Sequence, residues 1–211
     1  MNRIAQCNCE YKERFKMIET IHEHTIDTSL LTGGWIIDAG CRNWNFSLAM
    51  KERNEKVYAI DIQSMVKPEI LDVFKQNALW IANKTMYVNY VNDANGTFVS
   101  DTPQSGRTEQ ITTITLNDIY NEIGTNIDCL KIDIEGSEYD ILMDDGFKPI
   151  PKQLSIEFHE HNFKNKHDKL FNVCIEKISK YYTPIKFERT SAHWCGFNYW
   201  DTLFLRKEDV I

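Results

Sequence analysis

Two short stretches concentrate groups that can move protons or hold a polar ligand. The first reads Ile127-Asp128-Cys129-Leu130-Lys131-Ile132-Asp133-Ile134-Glu135-Gly136-Ser137-Glu138. Strand alternation puts Lys131, Asp133 and Glu135 on one side and Leu130, Ile132 and Ile134 on the other. Three charges along one side of an apolar strand are costly unless they are paired or belong to a site. Capping of the next helix by Asp133 and Glu135 explains part of the pattern but leaves Lys131 without a reason. The second stretch is Ser155-Ile156-Glu157-Phe158-His159-Glu160-His161, where a period of two groups Glu157, His159 and His161. Beside Asp133 these residues suit acid–base work, in which Asp133 or His159 takes a proton from a hydroxyl while Glu135 and Glu157 orient it. Two other readings compete. One is a divalent-metal site of carboxylates and imidazole, possible on ligand types but not favoured. The other is a solvated His161 next to a His159 that only hydrogen-bonds a neighbour.

Such groups need a scaffold that brings strand ends together. Trp35 to Gly40 is a short apolar run that ends Asp38-Ala39-Gly40-Cys41-Arg42, as a buried parallel strand entering a tight turn would. Lys56 to Asp61 is a second strand, Thr85 to Val91 a third, Ile127 to Ile134 a fourth and Leu154 to His159 a fifth. Thr97 to Val99 and Ile111 to Thr115 are further short strands, with a loop over Thr102 to Thr108. Helices are expected over Tyr11 to Glu23, Phe46 to Arg53, Pro68 to Ala82, Leu116 to Gly124, Ser137 to Met143 and His167 to Tyr181. The last two strands, Ile185 to Thr190 and Thr202 to Lys207, flank the aromatic loop His193-Trp194-Cys195-Gly196-Phe197-Asn198-Tyr199-Trp200-Asp201. That loop is either a stacking platform for a ring-shaped ligand or a lid on the sheet edge. Alternating strands and helices imply an α/β fold. Its central sheet would be mostly parallel, with an antiparallel strand near the C-terminus and helices on both faces. Residues 1–32 read as a helical extension and 33–211 as one domain.

In such sheets ligands bind outside the carboxyl ends of the strands. Gly40 lets the backbone approach a ligand closely. Asp61 ends the second strand about 20 residues later, the position that holds ribose hydroxyls in nucleotide-binding sheets. Asn92 and Asp93 follow the third strand. The chain has no G-x-G-x-x-G and no G-x-x-x-x-G-K-S/T, so it lacks the cradle of N–H groups that pyrophosphate requires. A nucleoside ligand without phosphates, such as S-adenosylmethionine, fits better than NAD or ATP.

Bulk properties narrow the classes. The 211 residues carry 24 Lys+Arg against 31 Asp+Glu, a net charge of −7. That balance argues against a duplex nucleic-acid partner. No apolar run is long enough to span a membrane, and Met1 to Phe15 has no apolar core of a secretory signal. Cysteines 7, 9, 41, 129, 174 and 195 form no C-x-x-C pair. Free thiols and a cytoplasmic location are therefore expected. Cys7-x-Cys9 with His22-x-His24 does not have the usual spacing of structural zinc.

Several segments in order resemble the FkbM-type S-adenosylmethionine-dependent methyltransferases, within the Rossmann-like methyltransferase superfamily. They are Asp38-Ala39-Gly40, Tyr58-Ala59-Ile60-Asp61, Asn92-Asp93-Ala94-Asn95-Gly96, Thr113-Ile114-Thr115-Leu116-Asn117-Asp118 and Leu130-Lys131-Ile132-Asp133-Ile134-Glu135-Gly136-Ser137-Glu138. The last is the most specific, and the match covers roughly residues 33 to 160. The resemblance implies a Rossmann-like methyltransferase sandwich. It also implies methyl transfer to oxygen on a sugar, glycan or small natural product. Carried over, Gly40 would line the methionine part of the cofactor with Asp38, Cys41 and Arg42. Asp61 and Ile62 would hold the ribose, Asn92 or Asp93 would lie by the adenine, and Asp133 would sit near the reactive methyl. The family's second loop glycine is replaced by Trp44, which either packs under the loop or weakens cofactor binding. The alternative is a catalytically silent nucleoside-binding protein of the same fold. The acceptor's identity and the oligomeric state are not written in the sequence.

Overall fold

The computed structural model describes residues 17–90, 97–104, 106–159, 167–192 and 197–209. A hairpin of β1 (Ile18–Ile21) and β2 (His24–Asp27) opens it, then β3 (Trp35–Ala39), α1 (Asn45–Glu52) and β4 (Lys56–Asp61). Next come β5 (Val73–Gln76), β6 (Ala78–Leu79), β7 (Thr85–Asn89), β8 (Phe98–Ser100), β9 (Thr108–Ile114) and α2 (Leu116–Ile123). The chain continues through β10 (Ile127–Ile132), α3 (Glu138–Met143), β11 (Gln153–His159), α4 (His167–Ile178), β12 (Tyr182–Ala192) and β13 (Phe197–Arg206).

One seven-stranded sheet runs β12-β13-β11-β10-β3-β4-β5. The pairs β11–β10, β10–β3, β3–β4 and β4–β5 are parallel, and β13 is antiparallel to both β11 and β12. Alternation sorts the central strands between two cores. Ile37, Tyr58, Ile60, Leu130 and Ile132 pack with buried residues of α2, α3 and α4. Ile36, Val57, Ala59 and Cys129 pack on the other face with Phe46 and Met50 of α1 and with Ile21 and Ile26 of the hairpin. Each fully buried aliphatic or aromatic side chain contributes roughly 1.5–3 kcal/mol. Strand order reverses between β3 and β10, because β4 lies beyond β3 on one side and β10 beyond it on the other. A crevice opens at such a point.

Two helices expected from sequence are replaced by strands. Over the described part of Tyr11 to Glu23, Ile18–Ile21 is extended and pairs antiparallel with His24–Asp27. Thr20, Ile21, Thr25 and Ile26 favour extended backbone, and His22 and Glu23 take positive φ of 46° and 75°. Two such residues make the tight turn of a two-residue hairpin. Within Pro68 to Ala82 there is no helix. Val73–Gln76 becomes an edge strand on β4, and Ala78–Leu79 joins β7, β8 and β9 in a second, four-stranded sheet. The Asp72 carboxylate accepts the Val57 N–H at 2.8 Å, which fixes the start of that edge strand. Tertiary pairing here overrides local propensity.

Candidate active site

The carboxyl ends of β3, β4, β10 and β11 meet around one lysine. Lys131 Nζ donates to the Gly40 carbonyl at 2.7 Å and lies 3.1 Å from Asp38 and 3.6 Å from Asp133. Asp38 also accepts from Ser47 Oγ at 2.6 Å, which ties α1 to the sheet. Burial opposes the Lys131 charge, but Asp38 and Asp133 outweigh it and hold the lysine above its ordinary value. This is the reason for a lysine on a buried strand. It fixes the Gly40 loop and neutralises two carboxylates. Gly40 itself has φ +85°, and a Cβ there would run into the Asp133 carbonyl oxygen. Glycine is therefore required for β3 and β10 to end so close together.

His159 is the second hub. Its Nδ1 lies 2.8 Å from Glu138 and its Nε2 3.2 Å from Glu157, with Asp133 and Glu135 each at 3.7 Å. Burial disfavours its charge, yet Glu138 and the other acids raise it well above the ordinary histidine value. The acids around it favour its protonated form. Glu138 also accepts the Ile134 N–H at 3.1 Å and so locks the turn after β10. In that turn Glu135 has φ +57° and Gly136 φ +104°. A non-glycine residue held this way stores strain at a site. Burial is the main cause that pushes Glu135 up to about 7, with Asp133 adding to it and His159 opposing it. Asp133 is the reverse case. Burial would raise it, but Lys131, His159 and His24 hold it below the usual carboxylate range.

Two clefts adjoin these residues. The first is the narrower, with a cavity volume of about 120 Å³. Gly40, Arg42, Asp61, Ile62 and Asp133 line it. Its far wall is Asn77-Ala78-Leu79, in the stretch that reads as helix, and Thr97-Phe98-Val99, which reads as strand but not as part of a site. The second cleft, about 390 Å³, is lined by Asp38, Cys41, Lys131, Glu157, Tyr199 and the hairpin residues His22, Glu23 and His24. Gly40, Arg42, Asp133 and Glu135 line both. Asn92, Asp93 and His161, together with Cys7, Cys9 and residues 193–196 of the aromatic loop, lie outside the described residues. Of the aromatics that follow, Tyr199 faces the second cleft, while Trp200 stacks on Phe171 at 5.2 Å in the core. Phe197 to Asp201, expected in that loop, belong to strand β13 and pair with β11 and β12.

Trp44 packs against the core cluster of α1 and the hairpin. It keeps a left-handed backbone, φ 64°, and its ring meets Phe74 edge-on at 4.9 Å. His24, which the sequence offers only within a His22-x-His24 pair beside Cys7 and Cys9, has a place in this site that sequence reasoning missed. It enters from the hairpin, with Nε2 3.7 Å from Asp133 and its ring edge-on to Phe46 at 5.5 Å. Burial, then Lys131, lowers it to about 4, so it is neutral at physiological pH.

Residues 38–182 match the family model of the methyltransferase FkbM domain, more than half of the chain. The chain belongs to the FkbM methyltransferase family, a family of S-adenosylmethionine-dependent methyltransferases. A similar solved structure is Burkholderia thailandensis 1,6-didemethyltoxoflavin-N1-methyltransferase with bound 1,6-didemethyltoxoflavin and S-adenosylhomocysteine. It is 11% identical, the likeness covers 82% of this chain and 70% of that chain, and the TM-score is 0.38. No curated protein matches. Among the described residues no helix is long and apolar enough to cross a membrane.

Proposed function

We propose that the chain is an O-methyltransferase that moves the methyl group of S-adenosylmethionine to a hydroxyl of a sugar, glycan or small natural product. In this reading it has the Rossmann-like methyltransferase layout, with the catalytic domain beginning near residue 33. The observation that carries the reading is the shared wall between the clefts, where Asp133 and Glu135 face both. The cofactor would occupy the first cleft, with Gly40 and Arg42 along its methionine part and Asp61 and Ile62 at the ribose. Asn92 or Asp93 remains our assignment for the adenine. The acceptor would lie in the second cleft beside Glu157 and the hairpin.

A sulfonium is already a good methyl donor, so the protein must align the nucleophile in line with the methyl and remove a proton. Asp133, ionised, would orient the acceptor hydroxyl and complement the sulfonium charge. Glu135, which titrates near neutrality, is the group suited to accept the proton. His159, held as a cation, would orient Glu157 and Glu135 in place of acting as base. An amine acceptor is less favoured, since no Asn-Pro-Pro-Tyr-like motif follows β10. Trp44 supports a working cofactor loop over the silent alternative, because its backbone keeps the conformation a glycine would take. We assign the protein to the cytoplasm.

Isothermal titration of cofactor-stripped protein with S-adenosylmethionine tests the reading. Saturable binding followed by methyl transfer to a hydroxylated acceptor supports it, and absence of binding overturns it.

A further inference from the structure

Glu157 of β11 and Asp201 of β13 are register partners in an antiparallel pair. Cross-strand partners place their side chains together on one face, and like charges so placed repel. Both carboxyls are pushed upward, by burial first and by neighbouring acids second, Asp201 to about 7. The nearby Lys186 is engaged elsewhere, 3.0 Å from Thr25 Oγ1 and 2.8 Å from Glu188. His24 reaches the same place from the hairpin. A ring nitrogen of His24 and one oxygen each of Glu157 and Asp201 lie within 4.8 Å of one another. His24 is only 6% exposed. Its Nδ1 is buried with no hydrogen-bond partner, and its Nε2 stands beyond hydrogen-bond reach of Asp133. A buried polar atom left without a partner is costly.

We propose that His24, Glu157 and Asp201 form a binding site for a divalent first-row cation such as Mn²⁺. One imidazole and two carboxylates are ligands that such ions accept. The cation would remove the repulsion between the two acids and take up the lone pair of an unpartnered imidazole. Among the described residues a second group, Asp133, Glu157 and His159, has the same spacing. It is the poorer site, because His159 has Glu138 at Nδ1 and Glu157 at Nε2, and a protonated ring cannot ligate. Three protein ligands would leave coordination positions open, and His24 and Glu157 border the second cleft. A cation there would bind an acceptor oxygen and lower the pKa of its hydroxyl. This use rests on the methyl-transfer reading, whereas cation binding does not.

The test is titration of chelator-treated full chain with Mn²⁺, without cofactor, followed by the loss of the free-ion paramagnetic resonance signal. One Mn²⁺ per chain is expected. His24→Ala and the near-isosteric Asp201→Asn are each expected to weaken binding about tenfold or more. His22→Ala, on the same turn but outside the triad, is expected to keep it. No saturable uptake by the parent chain, undiminished uptake in both variants, or loss in His22→Ala equal to that in His24→Ala overturns the site. Circular dichroism shows that each variant is folded, and the isosteric Asp201→Asn carries the test if His24→Ala is not. A separate titration with S-adenosylmethionine keeps the two ideas apart. Mn²⁺ binding without cofactor binding would sink the methyltransferase reading and leave the cation site standing, and the opposite result would do the reverse.

Discussion

Lys131 carries its charge with only 2% of its side chain exposed, against an Asp38 that is 1% exposed. Removing one partner of a buried pair leaves the other uncompensated, at a cost of roughly 3–5 kcal/mol. Lys131→Met is therefore expected to lower unfolding stability by about that amount in a urea titration. It is also expected to loosen the Gly40 loop that Lys131 holds. Glu135 makes a different demand, because in the proposed reaction its titration sets activity. A base works in its deprotonated form, so kcat is expected to rise with pH through about 7 and to level off above it. Glu135→Gln is expected to abolish that rise and to lower kcat by roughly 10²–10⁴-fold. A pH–rate profile that keeps its limb in the variant would return the base role to another group.

At the scale of elements, the hairpin borders the second cleft through His22, Glu23 and His24, and in the proposed reading it shapes what binds there. It is pinned by Gln153, whose Oε1 accepts the Asp27 N–H at 2.7 Å and whose Nε2 donates to the Asp27 carbonyl at 3.1 Å. Gln153→Ala would strand two buried backbone groups, each costing roughly 1–3 kcal/mol. The expected result is a raised KM for the acceptor with little change in S-adenosylmethionine affinity, measured side by side. Much of the first cleft was legible in the sequence. Gly40, Asp61 and Asp133 stand at strand ends, and a strand that ends on Gly or Asp announces itself by local pattern. The lysine on β10 was legible as an anomaly, and the structure supplies its reason. His24 was not legible, because its nearness to Asp133 and Glu157 depends on how a hairpin docks across β11 and β13. The far wall of the first cleft escaped for a similar reason. Val73 and Phe74 extend only because β4 offers them an edge, and no helical or alternating period records that offer.

Across the whole molecule, the two ends of the sheet use buried carboxylates differently. At the end remote from the clefts, Asp128 accepts the N–H groups of Thr32 and Gly34 and pairs with Lys152 at 2.6 Å. Burial would raise it, but Lys152 and those backbone donors hold it below the usual carboxylate range. A depressed carboxylate stabilises the fold above its ordinary pKa and loses that contribution as pH falls through the depressed value. Asp128→Asn is thus expected to destabilise the protein at pH 7, with a difference from the parent chain that shrinks toward strong acid, while cofactor affinity stays unchanged. Ligand binding should report on the same sheet globally. S-adenosylhomocysteine at a hundred times its Kd is expected to stabilise the protein by about 2.7 kcal/mol, read as a higher melting temperature.

The wall shared by the two clefts also has a use in chemistry. Gly40, Arg42, Asp133 and Glu135 border both spaces, so the thickness between them is that of a few side chains. An adenosine joined by a short flexible bridge to a hydroxylated ring would straddle that wall and occupy both spaces at once. Tethering gives each half a high effective concentration at its own subsite, a gain of roughly 10²–10⁴ over either fragment. Varying the bridge one bond at a time would then measure the distance the methyl group must travel, and the tightest-binding length would serve as a ruler for the reaction.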